Sequence, residues 1–363
     1  MNIYLDNIIF SLQKAGGASV VWQQHLERLL QDEDFQCHFL EYENAHFNFF
    51  RQQLSINNEH VNLKSSNFLK IKRYLNFNSK LKDKHIFHSS HYRVERGENV
   101  VNVTTVHDFT YEHFISGLAQ KVHSWQKNLA INNSEGIICV SESTKKDLLF
   151  FLPHIKENKI RVIYNGVDSA FNPLIDNIFF EKKHHFDDFN YALYIGDRST
   201  TYKNFNMAVD ACKLAKIPLL IIGGGQLTEL EKYNLKTKLG EQNFISILGV
   251  SVSDLNYYYN KAYCLLYPSL YEGFGIPIIE AQRSGCPVIA TNSSSIPEVI
   301  GNNCLAIENP TPQKIFKKVK ELSFANNLRK ESIELGFEKS KRFSWQNTYS
   351  ETTEFYKELY FEK

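Results

Sequence analysis

Two carboxylates, Glu272 and Glu280, bracket a turn that holds Gly273, Gly275 and Pro277. The glycines admit backbone conformations that a β-carbon forbids and let a ligand approach the main chain. If a helix begins just after them, with Pro277 near its start, the unpaired N–H groups and the positive dipole end face an anion. Arg198 and Lys203 supply two fixed cations, and Gly223, Gly224 and Gly225 form a second glycine run. Cations neutralise a diphosphate, and arginine does so with paired hydrogen bonds. A carboxylate at a helix N-terminus accepts hydrogen bonds from ribose hydroxyls. The set is a nucleotide-diphosphate site built from acids, cations and bare main chain. Each glutamate or cation alone reads more simply as a solvated surface charge; the combination favours the ligand site.

The elements that must position these residues follow from the pattern. Residues 262–267 read as a buried strand running into the glycine turn, and a helix begins near 277. Arg198 and Lys203 follow a strand at 191–195, and the triple glycine follows a strand at 218–222. All of them therefore belong at the carboxyl edge of one parallel sheet. Further strands fall at 244–248 and 287–290, with helices between. The first half repeats the rhythm. Strands are expected at 2–9, 37–41, 86–88, 100–106, 136–140 and 159–164, with helices at 19–30, 118–132 and 141–151. The chain is predicted to be α/β, with two Rossmann-like parallel-sheet domains. The expected division is 1–170, 171–344 and a final helix at 345–363. A polar, periodicity-poor stretch at 169–190, with His184 and His185 near its end, reads as the linker.

The first half carries weaker candidates. Gly16 and Gly17 lie between the first strand and the first helix, as a phosphate cradle or as a plain turn. They depart from Gly-x-Gly-x-x-Gly, so dinucleotide binding is not inferred. His107 and Asp108 end the strand 100–106, where open α/β sheets bind ligands; the alternative is a capping aspartate beside a packed histidine. Residues 64–84 carry Lys64, Lys70, Lys72, Arg73, Lys80, Lys82 and Lys84 against Asp83, interleaved with Phe68, Leu69, Ile71, Tyr74, Leu75, Phe77 and Leu81. Such a stretch suits an anionic membrane surface, and equally a solvated face over core residues. Asp32-Glu33-Asp34 spells Asp-x-Asp but sits in an acidic turn.

Bulk properties narrow the class. The 363 residues are 43% apolar and 22% charged, an ordinary globular balance, and the net charge of +1 disfavours a nucleic-acid binder. No run reaches the roughly 18 apolar residues of a spanning helix, and the start, Met1-Asn2-Ile3-Tyr4, reads as a strand rather than a signal peptide. Cysteines at 37, 139, 212, 264, 286 and 304 form no Cys-x-x-Cys pair and read as small hydrophobes in a reducing, cytoplasmic setting. Trp345, Tyr349, Phe355, Tyr356, Leu359 and Tyr360 make an aromatic face that needs a cover.

With these residues in hand, the chain resembles the retaining glycosyltransferases of family 4, which have the GT-B fold: two Rossmann-like domains facing each other across a cleft. The resemblance rests on Glu272-x7-Glu280 with Gly-Phe-Gly-Ile-Pro before the second acid. It extends to Gly16-Gly17, His107-Asp108, Asn165-Gly166-Val167-Asp168, Arg198 with Lys203-Asn204-Phe205, and Ser295-Ile296-Pro297-Glu298-Val299. The loop Gly196-Asp197-Arg198 carries one residue more than the family's commoner Gly-Arg. The resemblance implies that Glu280 holds the donor ribose and Glu272 the donor sugar, and that Arg198 and Lys203 stabilise the departing diphosphate. Phe274, Gly275 and Ile276 offer N–H groups, Gly224 belongs to the donor site, Gly16 and Gly17 close on the phosphates, and His107 touches the sugar. It implies transfer of a sugar, with retention, from a nucleotide-diphosphate sugar to a glycan or lipid-linked glycan, without a metal or other cofactor. The loop at 202–205 resembles those of bacterial surface-polysaccharide transferases, which leans the donor toward GDP-mannose. A UDP-sugar transferase and a nucleotide-sugar epimerase of the same fold are the alternatives. The expected setting is the cytoplasm, with peripheral contact at the inner membrane face through 64–84.

Overall fold

The structure, a computed structural model, describes residues 1–79, 81–174, 185–301, 305–323 and 327–362. Lys80, His184, Cys304 and the middle of the predicted linker lie outside the described residues. The chain divides into two compact units, Met1–Gly166 with Trp345–Lys363, and Val167–Ser344.

The first unit is built on seven parallel strands: β1 (Asn2–Asp6), β2 (Gln36–Tyr42), β3 (Val61–Lys64), β4 (His85–Ser89), β5 (Val100–Val106), β6 (Gly136–Cys139) and β7 (Ile160–Val162), in the order β3-β2-β1-β4-β5-β6-β7. Strands β4 and β6 are buried along their whole length, as apolar runs in a sheet covered on both faces must be. The helix Trp345–Phe361 belongs to this unit. It buries Tyr349, Phe355 and Tyr356 in the same core as Ile3, Leu5, Trp22 and Leu26. A β-carbon on Gly136 would lie 2.3 Å from Leu359 and 2.9 Å from the Phe355 ring, so this helix can rest on β6 only because residue 136 has no side chain. The Tyr356 hydroxyl is hydrogen-bonded to Nε2 of His25 at 3.0 Å and Nδ1 of His88 at 2.5 Å. Burial holds both imidazoles neutral, His25 at about 3.

The second unit holds β8 (Ala192–Ile195), β9 (Leu219–Ile222), β10 (Phe244–Ile247), β11 (Cys264–Tyr267), β12 (Val288–Thr291) and β13 (Ala306–Ile307), again all parallel, in the order β10-β9-β8-β11-β12-β13. Its core is Ala192, Tyr194, Leu219, Ile221, Cys264, Leu266 and Ile289 under the helices Phe205–Ala215 and Pro312–Glu321. Both units therefore share one doubly wound topology, and each reverses its strand order next to its own first strand.

Several expectations change. Among its described residues the basic segment forms a four-residue helix, Leu69–Lys72, and its first residue closes the edge strand β3, which four residues with little alternation do not announce. The two-residue β13 was equally invisible. At the flanks of the expected linker Phe171 lies against Tyr259 and Phe186 against Tyr191, all within the second unit. The acidic turn is engaged too, since Asp32 accepts from the Tyr349 hydroxyl at 2.6 Å and Asp34 from Lys357 at 2.8 Å.

Candidate active site

The second unit reverses its order between β8 and β11, and the loops leaving the carboxyl ends of these strands carry the predicted residues. After β8 a single turn, Thr201–Lys203, ends at Asn204, whose left-handed backbone (φ 52°) starts the helix Phe205–Ala215. The Asn204 amide donates to the Pro268 carbonyl at 2.9 Å, and Leu270 N–H donates to the Tyr202 carbonyl at 2.8 Å. The two loops are thus stitched together. Lys203 Nζ then reaches both oxygens of Glu272, at 2.7 and 2.6 Å. This ion pair is largely enclosed, with side-chain exposures of 18% and 10%. Removing one partner from such a pair leaves the other charged and poorly solvated.

The turn that presents Glu272 is gripped by three serines. Ser293 Oγ donates to the Leu270 carbonyl at 2.7 Å, and Ser294 Oγ accepts from Glu272 N–H at 2.9 Å. Ser295 Oγ donates to the carbonyls of Glu272 and Phe274 at 2.8 and 3.0 Å. In the sequence this serine run resembles any polar loop. Gly275 has φ 103°, the left-handed region that glycine tolerates, and the helix Ile276–Arg283 begins there with Pro277 in its first turn. Among the described residues no side chain caps this helix start; Pro277 has no N–H and Ile278 N–H donates to the Gly275 carbonyl at 3.0 Å, which leaves the N–H groups of Gly275 and Ile276 without an intrahelical acceptor. Phe274 is buried edge-on against Phe343.

Glu280 lies in that helix and accepts the Tyr259 hydroxyl at 2.9 Å. Burial raises its carboxyl to about 7; the Tyr259 hydrogen bond opposes the shift and the Asp168 charge adds to it. The buried Tyr267 phenol is pushed far up by burial, then by Glu272, Tyr194 and Glu280. Lys203 Nζ lies 5.9 Å from the centre of the Tyr267 ring at the end of β11, and Glu280 lies in the helix that follows the Glu272 turn.

Arg198 is held by partners that the sequence does not announce. Its Nε donates to Glu231 at 3.0 Å, one terminal nitrogen bonds the Gly223 carbonyl, and the other reaches the carbonyls of Gly224 and Gly225 at 3.1 and 3.0 Å. It braces the glycine loop rather than standing as an open cation. Gly224 (φ 70°) makes room for it, because a β-carbon there would sit 2.6 Å from the guanidinium. Glu231, which also closes a capping box with Thr228, had no distinguishing signal in the sequence.

The remaining candidates belong to the first unit. Gly16 and Gly17 open the helix Gly17–Leu29, and a β-carbon on Gly16 would meet the Gln13 side chain at 2.7 Å. His107 directly follows β5, half-buried, with its imidazole held neutral by burial against the opposing pull of Asp108. Asp108 turns its carboxylate to Thr110 N–H at 3.0 Å, and its carbonyl accepts from Lys127 Nζ. Lys127 is itself fully buried and paired with Glu112 at 2.7 Å.

A chain of two doubly wound units, one carrying a lysine–glutamate pair at its topological switch, is the plan of a GT-B glycosyltransferase. The model described as Glycosyltransferase Family 4 matches residues 4–171, and that described as Glycosyl transferases group 1 matches residues 176–339. The chain belongs to the family 4 glycosyltransferases. It is 32% identical over 234 residues to an uncharacterized glycosyltransferase of Methanocaldococcus jannaschii, covering 63% of this chain and 61% of that one. It is 30% identical over 217 residues to the O-antigen chain mannosyltransferase RfbU of Salmonella typhimurium, 59% and 58% of the two chains. It is 29% identical over 212 residues to the UDP-Gal:alpha-D-GlcNAc-diphosphoundecaprenol alpha-1,3-galactosyltransferase of Escherichia coli, 56% and 53%. The matches thus span between about half and three fifths of these curated relatives. Among solved structures, the sucrose-phosphate synthase of Thermosynechococcus elongatus superposes over 100% of both chains with a TM-score of 0.77 at 15% identity, a likeness of fold.

Proposed function

We propose that the chain moves a sugar from a nucleotide-diphosphate donor to an acceptor hydroxyl on a glycan or lipid-linked glycan, with retained anomeric configuration, in bacterial surface-polysaccharide synthesis. The observation that carries this reading is the Lys203–Glu272 pair held between the two loops of the switch point, beside Glu280 and an uncapped helix start. The C1–O bond to the diphosphate breaks, a C1–O bond to the acceptor forms, and the acceptor proton passes to a leaving phosphate oxygen. Negative charge grows on that diphosphate. Lys203 and the N–H groups of Gly275 and Ile276 are fixed donors for it, and preorganised donors of this kind supply the larger part of the rate. Glu280 accepts the ribose hydroxyls, and Glu272 meets the sugar. Arg198 acts by holding Gly223, Gly224 and Gly225 in shape. Gly16, Gly17 and His107 are further candidates for donor binding in this reading, no metal ion takes part, and the reaction runs in the cytoplasm. Residues 64–84 bring the protein to the inner membrane face, where a lipid-linked acceptor would lie.

The donor reading leans to GDP-mannose, supported by the likeness to the mannosyltransferase RfbU. A UDP-sugar is the second reading, supported by the likeness to the UDP-Gal transferase. The test is a thermal-shift screen of GDP- and UDP-sugars, since a ligand of the native state raises the melting temperature by mass action. It is followed by NMR assignment of the product anomer, with and without EDTA. Transfer that needs an added divalent ion, or inversion of the anomer, defeats the corresponding part. Product formed without any acceptor points to an epimerase.

A further inference from the structure

We propose that Tyr259 is a positioning residue for ribose recognition, its buried hydroxyl anchoring one oxygen of Glu280 so that the other remains free for the hydroxyls of a bound nucleotide. The proposal rests on the reading of Glu280 as the ribose acceptor and adds the residue through which that carboxylate is set. Tyr259 lies on the helix Val252–Lys261 and is fully buried, so it acts through Glu280 rather than on a ligand. Its hydroxyl donates to Glu280 Oε2 at 2.9 Å. Glu280 is half-buried, and its Oε1 takes no hydrogen bond among the described residues and is not shut away from water. One oxygen is anchored from behind and the other is left accessible. A carboxylate held in this way has lost its rotation before the nucleotide arrives, so less of the ordering cost falls on binding.

A second tie to the same helix fixes where the hydroxyl stands. One turn before Tyr259, the buried Asn256 side chain accepts from Ser284 Oγ at 2.7 Å. Ser284 follows Glu280 by one turn and also donates to the Glu280 carbonyl at 2.8 Å. Asn256 Oδ1 further accepts the Asn172 N–H at 3.2 Å, and Phe171 packs edge-on against the Tyr259 ring at 5.9 Å. The tyrosine is thus clamped by the segment that opens the second unit and tied to the Glu280 helix at two points. A phenylalanine would fill the same core, so what the hydroxyl adds is its bond to the carboxylate. That bond also acts on charge. Burial raises the Glu280 carboxyl to about 7, the Tyr259 hydrogen bond opposes the shift, and Asp168 adds to it. A hydrogen bond to the charged form favours that form, so its loss lifts the value further. The Tyr267 phenol on β11 is a further titratable group that feels Glu280. Arg283, on the same helix as Glu280, is set over the Phe337 ring, and the helix Asn327–Ser340 brings the uncharged Gly336 against Gln282.

The test is calorimetric titration of the full chain with GDP and with UDP, each beside its dideoxy analogue lacking both ribose hydroxyls, in the parent and in Tyr259→Phe. At about pH 8 the variant is expected to bind the ribonucleotide about fivefold or more weakly, and the dideoxy analogue within about twofold of the parent. The pH at which ribonucleotide affinity levels off, about 7 in the parent, is expected to move up. Placed on Glu280→Gln, the same change should leave affinity within about twofold of that single variant, because the hydroxyl works through the carboxylate. Ser284→Ala, which loosens the second tie and keeps the tyrosine, is expected to cause the same selective loss at smaller size. Melting temperatures near that of the parent check that the variants are folded. Equal losses for the ribonucleotide and its dideoxy analogue in both variants overturn the proposal, since they mark a prop for the helix alone. So does a Tyr259→Phe chain that favours the ribonucleotide as strongly as the parent does, and that result leaves the ribose reading of Glu280 standing. A parent that binds both nucleotides and their dideoxy analogues equally overturns that reading and the proposal together.

Discussion

At the scale of single residues, the chemistry turns on charges that are held rather than free. Lys203 is already neutralised by Glu272, so an incoming diphosphate competes with a carboxylate for it. Lys203→Met is expected to lower turnover by about 10²-fold or more, read as initial rate of sugar transfer. Adding Glu272→Gln to that variant should raise its melting temperature, because the single change strands a buried carboxylate that the double change removes. Unchanged turnover in Lys203→Met would defeat the assignment. Glu280 gives a pH signature. Its carboxyl is raised from 4.5 to about 7 in the folded chain, so the folded state prefers the protonated form. The stability it contributes is fully present below 4.5 and is lost as pH rises to about 7. Hydroxyls donate best to the charged form, so nucleotide affinity should rise across the same value. Calorimetric titration at about pH 6 and about pH 8 should show the rise, and Glu280→Gln should flatten it. Lys203, Glu272 and Glu280 were legible in the sequence because acids and cations around glycines are rare in combination. Tyr259 and Glu231 were not, since a tyrosine and a glutamate on helices carry no mark of what they touch.

At the scale of elements, the loops are shaped by bonds that the pattern of apolar residues does not encode. The strands and helices around the site follow hydrophobic periodicity and were placed to within a few residues, whereas β3 and β13 were too short to register. The bracing of the glycine loop by Arg198 was also hidden, because the sequence shows a cation but not the carbonyls that surround it. Gly224→Ala should evict the guanidinium and weaken donor binding more than it slows turnover at saturation, a split between KM and kcat. Ser295→Ala leaves two carbonyls of the Glu272 turn without their donor and should cost about 2 kcal/mol in denaturant unfolding. A loss below about 0.5 kcal/mol would mean that the turn holds itself without the hydroxyl.

At the scale of the whole molecule, length and the repeated strand–helix rhythm gave two parallel-sheet domains, because each buried strand must be covered by helices on both faces. The aromatic face at 345–363 asked for a cover, and the first unit provides it at Gly136, His25 and His88. Gly136→Ala should destabilise the first unit by about 1–3 kcal/mol, since Phe355 must move. Limited proteolysis should then release the helix Trp345–Phe361 early. A variant as protease-resistant as the parent would show that the helix can ride over a methyl group.

The return of the helix Trp345–Phe361 also sets an order of events on the ribosome. All of Val167–Ser344 is translated before Phe355 and Tyr356 exist, yet these two side chains complete the interior of the part made first. The later-made, contiguous unit can close as soon as it emerges, while the earlier one waits with an unfilled furrow. A nascent chain stalled short of residue 345 would thus offer a chaperone its greasiest surface on the half that has been outside longest.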